Sequence, residues 1–157
     1  MPDGLRGGGL LQVSDPHFGT EQPKSVDALV RLVARRRPAL VVLSGDMTQR
    51  ATVAQFAAAR AFVDRLLPVP VPAIPGNDDI PLFDLWSRLR RPYACHETAL
   101  GPVRDHEFID AGWLLLMLDI THWWRHKKGE VSQEQLESTR QRLLATPPGV
   151  LKVVVTH

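Results

Sequence analysis

Five side chains that can bind a divalent cation follow short apolar or turn-forming segments of this sequence: Asp15, His17, Asp46, Asn77 and His157. Carboxylate, imidazole and amide groups are hard or borderline ligands, which suit ions such as Mn, Fe, Zn or Mg. Asp15 and His17 flank the rigid Pro16, so both side chains can point the same way from an extended strand end. Asp46 can bridge two ions because its carboxylate has two oxygens. These residue types predict a metal site, provided that the fold brings them together.

The segment before Asp46 indicates how the fold can do so. Residues 40–43 form an apolar run without polar alternation, which is typical of a parallel strand buried on both faces. Ligands of open α/β sheets collect at the carboxyl ends of such strands, and Gly45 lets the chain turn there so that Asp46 reaches the crevice. A single aspartate in this position more often caps a helix. The repetition of ligand residues at other strand ends favours the site instead.

The first half of the chain alternates strands and helices. Strands at 10–13, 40–43 and 69–74 are separated by helical patterns at 24–36 and 52–67, which predicts a β-α-β-α-β unit with parallel strands. The last of these strands contains Pro70 and Pro72, which lack backbone donors, so we expect it to be short or at an edge.

The second half has a different pattern. A helix at 81–90 and an irregular stretch to 102 precede two strands, 103–109 and 113–118, that flank a hairpin turn. A helix starting after Ser132 and a buried strand at 151–155 complete the chain. Antiparallel strands here predict a mixed sheet or a second sheet.

Several single residues of the second half receive ordinary structural roles from the sequence. Phe83 and Trp86 are expected in the core, His96 and His106 on the surface, and Cys95 as a structural thiol.

Composition limits the functional classes. The chain has 157 residues, 44% of them hydrophobic, and a formal net charge of +2, which predicts one soluble domain and no nucleic-acid partner. A single cysteine fits a reducing compartment. Neither a secretory signal nor a run of membrane-spanning length is found. We therefore expect a cytoplasmic protein with a flexible N-terminus at residues 1–9, one domain at 10–157, and no membrane contact.

Taken together, the motifs resemble the calcineurin-like metallophosphoesterases, especially their class III cyclic-nucleotide phosphodiesterase branch. The family pattern is Asp-x-His, Gly-Asp, Gly-Asn-His-Asp or Glu, a lone His, and Gly-His-x-His. This chain matches it with four motifs: Asp15-Pro16-His17, Gly45-Asp46, Gly76-Asn77-Asp78-Asp79 and Val155-Thr156-His157. The resemblance implies an αββα sandwich of mixed sheets.

The resemblance also implies a role for each ligand residue. Asp15 and His17 would bind a first metal, Asp46 would bridge two, and Asn77 and His157 would bind the second. Two such ions, about 3.5–4 Å apart, acidify a water that attacks phosphorus. The cofactors implied are thus two divalent ions, and the substrates are phosphate monoesters or diesters, cyclic nucleotides among them.

Two departures from the family pattern bear on activity. Asp78 stands where the family has the histidine that contacts phosphate and protonates the leaving group, so we expect slower hydrolysis. The sequence ends at His157, before any Gly-His-x-His segment, so we expect a sandwich incomplete at its C-terminus. The apolar surface left uncovered would favour self-association.

The loop at 119–129 offers a candidate substrate contact. Arg125 and His126 could form a basic rim for an anionic substrate, although a solvated charged loop is the ordinary interpretation. The neighbouring pair Trp123-Trp124 needs a covering surface or a ligand.

Three functional hypotheses follow. The first is a metal-dependent phosphoesterase. The second is a non-catalytic relative that binds metal or nucleotide and serves as an interaction module, favoured by Asp78 and the missing motif. The third is an unrelated doubly wound nucleotide-binding domain, which lacks support because no glycine-rich phosphate loop follows the first strand.

Overall fold

A computed structural model describes residues 9–81, 85–110, 112–122 and 129–157. The strands are β1 (Leu10–Ser14), β2 (Leu40–Ser44), β3 (Ala73–Ile74), β4 (His106–Ile109), β5 (Trp113–Met117) and β6 (Leu151–Val155). The helices are α1 (Pro23–Arg36), α2 (Val53–Asp64), α3 (Leu85–Arg90), α4 (Ala94–Leu100) and α5 (Gln133–Ala145), and Asn77–Asp79 form one 3₁₀ turn.

The first sheet, β1-β2-β3, is parallel and has β2 at its centre. All five residues of β2 are buried. β3 is only two residues long, in agreement with the prediction from its prolines. The chain before it still lies against β2, because the carbonyls of Pro70 and Pro72 accept hydrogen bonds from Val41 (3.1 Å) and Leu43 (2.9 Å). Proline lacks the N–H but keeps the acceptor.

Local sequence signals explain where the helices begin and end. α1 starts at Pro23, whose ring favours the first helical turn, and ends at Arg37 in the left-handed conformation. Capping boxes open two other helices: Thr52 with Gln55 at α2, and Ser132 with Gln135 at α5. Each capping box satisfies backbone donors that the first turn leaves unpaired.

The second sheet, β4-β5-β6, is mixed. β4 and β5 form the predicted antiparallel hairpin, and β6 pairs parallel to β5. β5 is buried along its whole length, whereas β6 is mostly exposed. The expectation of a buried final strand is therefore wrong for most of β6. In the described part of the chain this strand pairs on one side only.

The side chains of β2 alternate between two hydrophobic cores. Val41 and Leu43 pack with residues of α1 and α2. Leu40 and Val42 face the other way and pack with residues of β5 such as Leu115 and Met117. Helices therefore cover one face of the first sheet and the second sheet covers the other, which confirms the expected sandwich.

Three other expectations from the sequence are wrong. The stretch predicted to be irregular contains α4, which packs on α2. His96 of this helix is fully buried and forms an edge contact with Phe56 at 5.9 Å between ring centroids. Trp86, expected in the core, is 64% exposed, and the guanidinium of Arg90 stacks on its ring at 4.0 Å.

None of the helices within the described residues is both long and apolar enough to cross a bilayer.

Candidate metal centre

The chain segments that follow β1 and β2 stay side by side after the last paired residues of the two strands. The amide of Asp15 donates to the Ser44 carbonyl, and the amide of His17 donates to the Asp46 carbonyl, both at 3.2 Å. These hydrogen bonds place the Asp15-Pro16-His17 segment against Asp46. Asp15 and His17 both have positive φ, at 51° and 45°, a conformation that side chains other than glycine seldom adopt.

Two glycines allow other chain segments to approach the same point. Gly45 has φ +84°, and a Cβ there would collide with the imidazole of His157. A Cβ on Gly76 would collide with the carboxylate and amide nitrogen of Asp46. Glycine is needed at both positions because the ligand side chains occupy the space that a methyl group would fill.

The ligand side chains form two groups that share Asp46. One group is Asp15, Asp46 and His157, and the other is His17, Asp46 and Asp78; within each, one ligand atom per residue lies within 4.8 Å of the others. In the first group, Nε2 of His157 is 3.5 Å from Oδ1 of Asp15 and 3.7 Å from Oδ1 of Asp46. Both groups are small enough to surround a single cation.

The chemistry of these donors fits divalent ions. Carboxylates and imidazoles are ligands of Mn, Fe and Zn. Among the described residues, Nδ1 of His17 is a buried polar atom without a hydrogen-bond partner, and a buried polar atom in that state needs a compensating ligand. A cation held with Asp46 and Asp78 would provide one.

Burial is the main influence on the pKa of Asp46. Its side chain is almost fully buried, and this desolvation raises the pKa of Asp46. The hydrogen bond from the Asp78 amide to Asp46 Oδ1 (2.8 Å) opposes the rise in pKa, while the negative charge of Asp78 adds to it. A bound cation would stabilise the ionised carboxylate.

A family model described as calcineurin-like phosphoesterase matches residues 9–157. This chain belongs to the calcineurin-like phosphoesterases. No curated protein matches it.

In this calcineurin-like phosphoesterase the structure brings together Asp15, His17, Asp46, Asp78 and His157. Asn77 lies next to them: its Nδ2 donates to Oδ1 of Asp78 at 2.7 Å. Arg125 and His126, together with Trp123, Trp124 and Phe83, lie outside the described residues.

Asp79 is a further residue of the phosphoesterase centre that sequence reasoning missed. Its carboxylate accepts from the amides of Met47 (2.9 Å), Thr48 (2.8 Å) and Gly76 (3.1 Å), and from the Thr48 hydroxyl (2.8 Å). These hydrogen bonds join the segment after β2 to the segment after β3. Asp79 is 1% exposed, and burial raises its pKa to about 7.

Asp79 therefore holds in place two loops that carry ligands. The available sequence signal was its position in the Gly76-Asn77-Asp78-Asp79 motif, which by itself does not distinguish a ligand from a structural carboxylate.

Proposed function

We propose that this phosphoesterase hydrolyses phosphate diesters with two divalent ions held around Asp46. The observation that supports this best is the presence of Asp46 in both ligand groups, Asp15-Asp46-His157 and His17-Asp46-Asp78. When bound, such ions supply an acidified water as nucleophile and positive charge for the phosphoryl oxygens. Asn77, beside Asp78, is proposed as an additional ligand through its amide oxygen.

The residues of the chain perform the positioning. The strained backbone at Asp15 and His17 and the close approach at Gly76 fix the ligand side chains, so little reorganisation is needed when substrate binds.

Protonation of the leaving group is the weak step of this mechanism. Asp78 occupies the position that the resemblance assigns to a phosphate-contacting histidine, and a carboxylate is a poorer acid than imidazolium for this purpose at neutral pH. We therefore expect efficient turnover only of esters whose leaving group needs no proton, such as aryl esters. At saturating Mn²⁺, Asp78→His should raise kcat for alkyl diesters more than for aryl diesters. An equal or lower kcat for both would contradict this role of position 78.

The finer assignments belong to the same proposal. We infer a member of the class III cyclic-nucleotide phosphodiesterase branch, a Mn or Fe enzyme, comprising one domain at 10–157 and acting in the cytoplasm on a phosphate ester such as a cyclic nucleotide. The single cysteine of the sequence, Cys95, excludes an internal disulfide, which agrees with a reducing compartment. Arg125 and His126 are proposed to contact the anionic substrate, and self-association is proposed through the exposed apolar residues of β6.

The test is hydrolysis of bis(4-nitrophenyl) phosphate with added Mn²⁺, with EDTA, and by the variants Asp46→Ala and Asp64→Ala. Asp64 is an exposed aspartate of α2 that forms a surface ion pair with Arg60, so Asp64→Ala is the matched control. We expect turnover that requires Mn²⁺, disappears in Asp46→Ala and survives in Asp64→Ala. Turnover by Asp46→Ala at the wild-type rate would contradict the proposal.

A second candidate is a metal-binding relative without turnover, favoured by the carboxylate of Asp78 in place of an acid. Mn²⁺ binding that depends on Asp46, measured together with undetectable hydrolysis of both aryl and alkyl diesters by folded protein, would support this candidate instead.

A further inference from the structure

We propose that Asp78 is a metal ligand, which together with His17 and Asp46 holds one of the two cations. This inference rests on the proposed two-ion function. It goes beyond the family resemblance, which implies a phosphate contact at position 78 and no metal ligand there.

The position of the Asp78 carboxylate is fixed from two sides. Its own backbone amide donates to Asp46 Oδ1 at 2.8 Å, which holds residue 78 next to the shared ligand. Asn77 Nδ2 donates to Asp78 Oδ1 at 2.7 Å. One amide hydrogen bond leaves a carboxylate with lone pairs for a cation, and a ligand that is itself hydrogen-bonded is well oriented.

His17 provides an independent observation at the same point. Its Nδ1 is buried and has no hydrogen-bond partner among the described residues, although His17, Asp46 and Asp78 each place a ligand atom within 4.8 Å of the other two. A buried imidazole nitrogen without a hydrogen-bond partner beside two carboxylates is a common environment of Zn and Mn ligands.

The charges at this position also favour a cation. Asp46 and Asp78 repel each other, and in the described part of the chain no lysine or arginine forms an ion pair with either. Two carboxylates held together near a buried strand end destabilise each other, and a divalent cation between them reverses that effect. Asp78 would then present phosphate with a metal ligand instead of an unpaired anion.

The primary test measures Mn²⁺ binding by calorimetry, without substrate, for wild-type protein, Asp78→Asn and Asp64→Asn. Asp78→Asn keeps the side-chain shape and the backbone amide, and Asp64→Asn makes the same chemical change at an exposed position. We expect two Mn²⁺ ions per wild-type chain, an affinity lower by about 10-fold or more for one of them in Asp78→Asn, and wild-type binding in Asp64→Asn. Wild-type affinity for both ions in Asp78→Asn would overturn the inference.

A double-mutant cycle tests whether Asp78 and His17 hold the same ion. If they do, the losses of Mn²⁺ affinity from Asp78→Asn and His17→Gln should not add. The visible absorption of bound Co²⁺ provides a second readout, since removing one ligand changes the spectrum of one ion only. Additive losses for the two substitutions would contradict shared ligation.

The outcomes separate this inference from the proposed function. If Asp46→Asn abolishes Mn²⁺ binding while Asp78→Asn binds both ions as wild type does, the two-ion function stands and the role of Asp78 is wrong. If folded wild-type protein binds no Mn²⁺, both are wrong. Asp78→Glu, which restores a carboxylate, should recover part of the lost affinity, so a general loss of folding is distinguishable from loss of a ligand.

Discussion

The two sheets of this phosphoesterase have equally buried central strands but very different surroundings. β2 lies between helices on one side and the second sheet on the other, and every residue of it is buried. β5 is equally buried, yet its neighbour β6 is mostly exposed and α5 contributes no buried residue. The first sheet carries Asp15, His17, Asp46 and Asp78 after its strands, and the second contributes His157.

This difference affects how firmly each sheet holds its metal ligands. The ligands on the first sheet are held by packing, by close glycine contacts and by the hydrogen bonds of Asp79. His157 follows the exposed strand and reaches the site across Gly45. We therefore expect substitutions in the first sheet to affect stability and metal binding together, and matching substitutions at the exposed positions of β6 to have small effects.

The largest expected difference between the sheets concerns two leucines. Leu43→Ala in β2 removes a fully buried side chain and should lower the free energy of unfolding by about 2–5 kcal/mol. Leu151 in β6 is 61% exposed, so Leu151→Ala should change the free energy of unfolding by no more than about 0.5 kcal/mol. Urea unfolding measures both. Equal losses would show that β6 is covered in solution.

Gly76→Ala should have the next largest effect, on activity. The added methyl group would collide with the carboxylate of Asp46, and displacement of a bridging ligand by about 1 Å costs roughly 100-fold in rate. Gly112→Ala is the matched control, in the turn before β5, because no atom of the described residues lies within 4 Å of the Cβ position there. Mn²⁺-dependent diester hydrolysis by both variants checks this, and an unimpaired Gly76→Ala enzyme would contradict the close packing.

Asp79→Asn, in the segment after β3, should destabilise the protein more than Asp119→Asn, in the segment after β5. Asp79 accepts from four donors in a buried site. The NH₂ group of an asparagine there would face some of these donors and could not accept their hydrogen bonds, which should lower the free energy of unfolding by about 2–3 kcal/mol. Asp119 Oδ1 accepts from the Thr121 amide and hydroxyl in a less buried place, so about 1 kcal/mol is expected. Thermal unfolding of both variants tests the order, which would be reversed if Asp79 were dispensable.

His96, which lies against Phe56 of α2, should give an effect that is absent at neutral pH and develops only under acid conditions, a pH dependence of stability. Burial lowers the pKa of His96 to about 4, so below about pH 6.5 the unfolded chain binds a proton that the folded chain excludes. This contribution to stability is complete above pH 6.5 and is lost as the pH falls toward 4, by about 1.4 kcal/mol per pH unit.

His96→Leu is the comparison for that measurement. It has no proton to gain at this position, so its unfolding free energy should fall less steeply than that of wild-type protein between pH 6.5 and 4.5. Parallel curves for the two proteins would show that His96 is accessible to protons in the folded state.

Much of the first half could be predicted from the sequence because its signals are local. Apolar runs, capping boxes and glycines at strand ends determine the β-α-β-α-β order and bring ligand residues to one edge. The grouping of His17 with Asp78 could not be predicted, since it depends on how far each loop continues past its strand. Asp79 was missed for a similar reason: Met47 and Thr48, which supply three of its four hydrogen bonds, are 32 and 31 positions away in the sequence.

The errors of the second half have another origin. A lone histidine such as His96 has no periodicity that indicates burial, because burial depends on the contact of α4 with α2. Trp86 lies on a helix of only six residues, where periodicity gives little information and stacking by Arg90 replaces core packing. The apolar composition of β6 indicates a strand correctly but cannot show which of its faces are covered.

The left-handed backbone at Asp15 and His17 has a consequence for laboratory evolution. Each non-glycine residue in this conformation costs about 1 kcal/mol that glycine would not. A screen that selects only for heat resistance should therefore enrich Asp15→Gly and His17→Gly, yielding sturdier proteins that have lost their metal ligands. At these two positions, selection for heat resistance should favour glycine, whereas selection for turnover should keep Asp15 and His17.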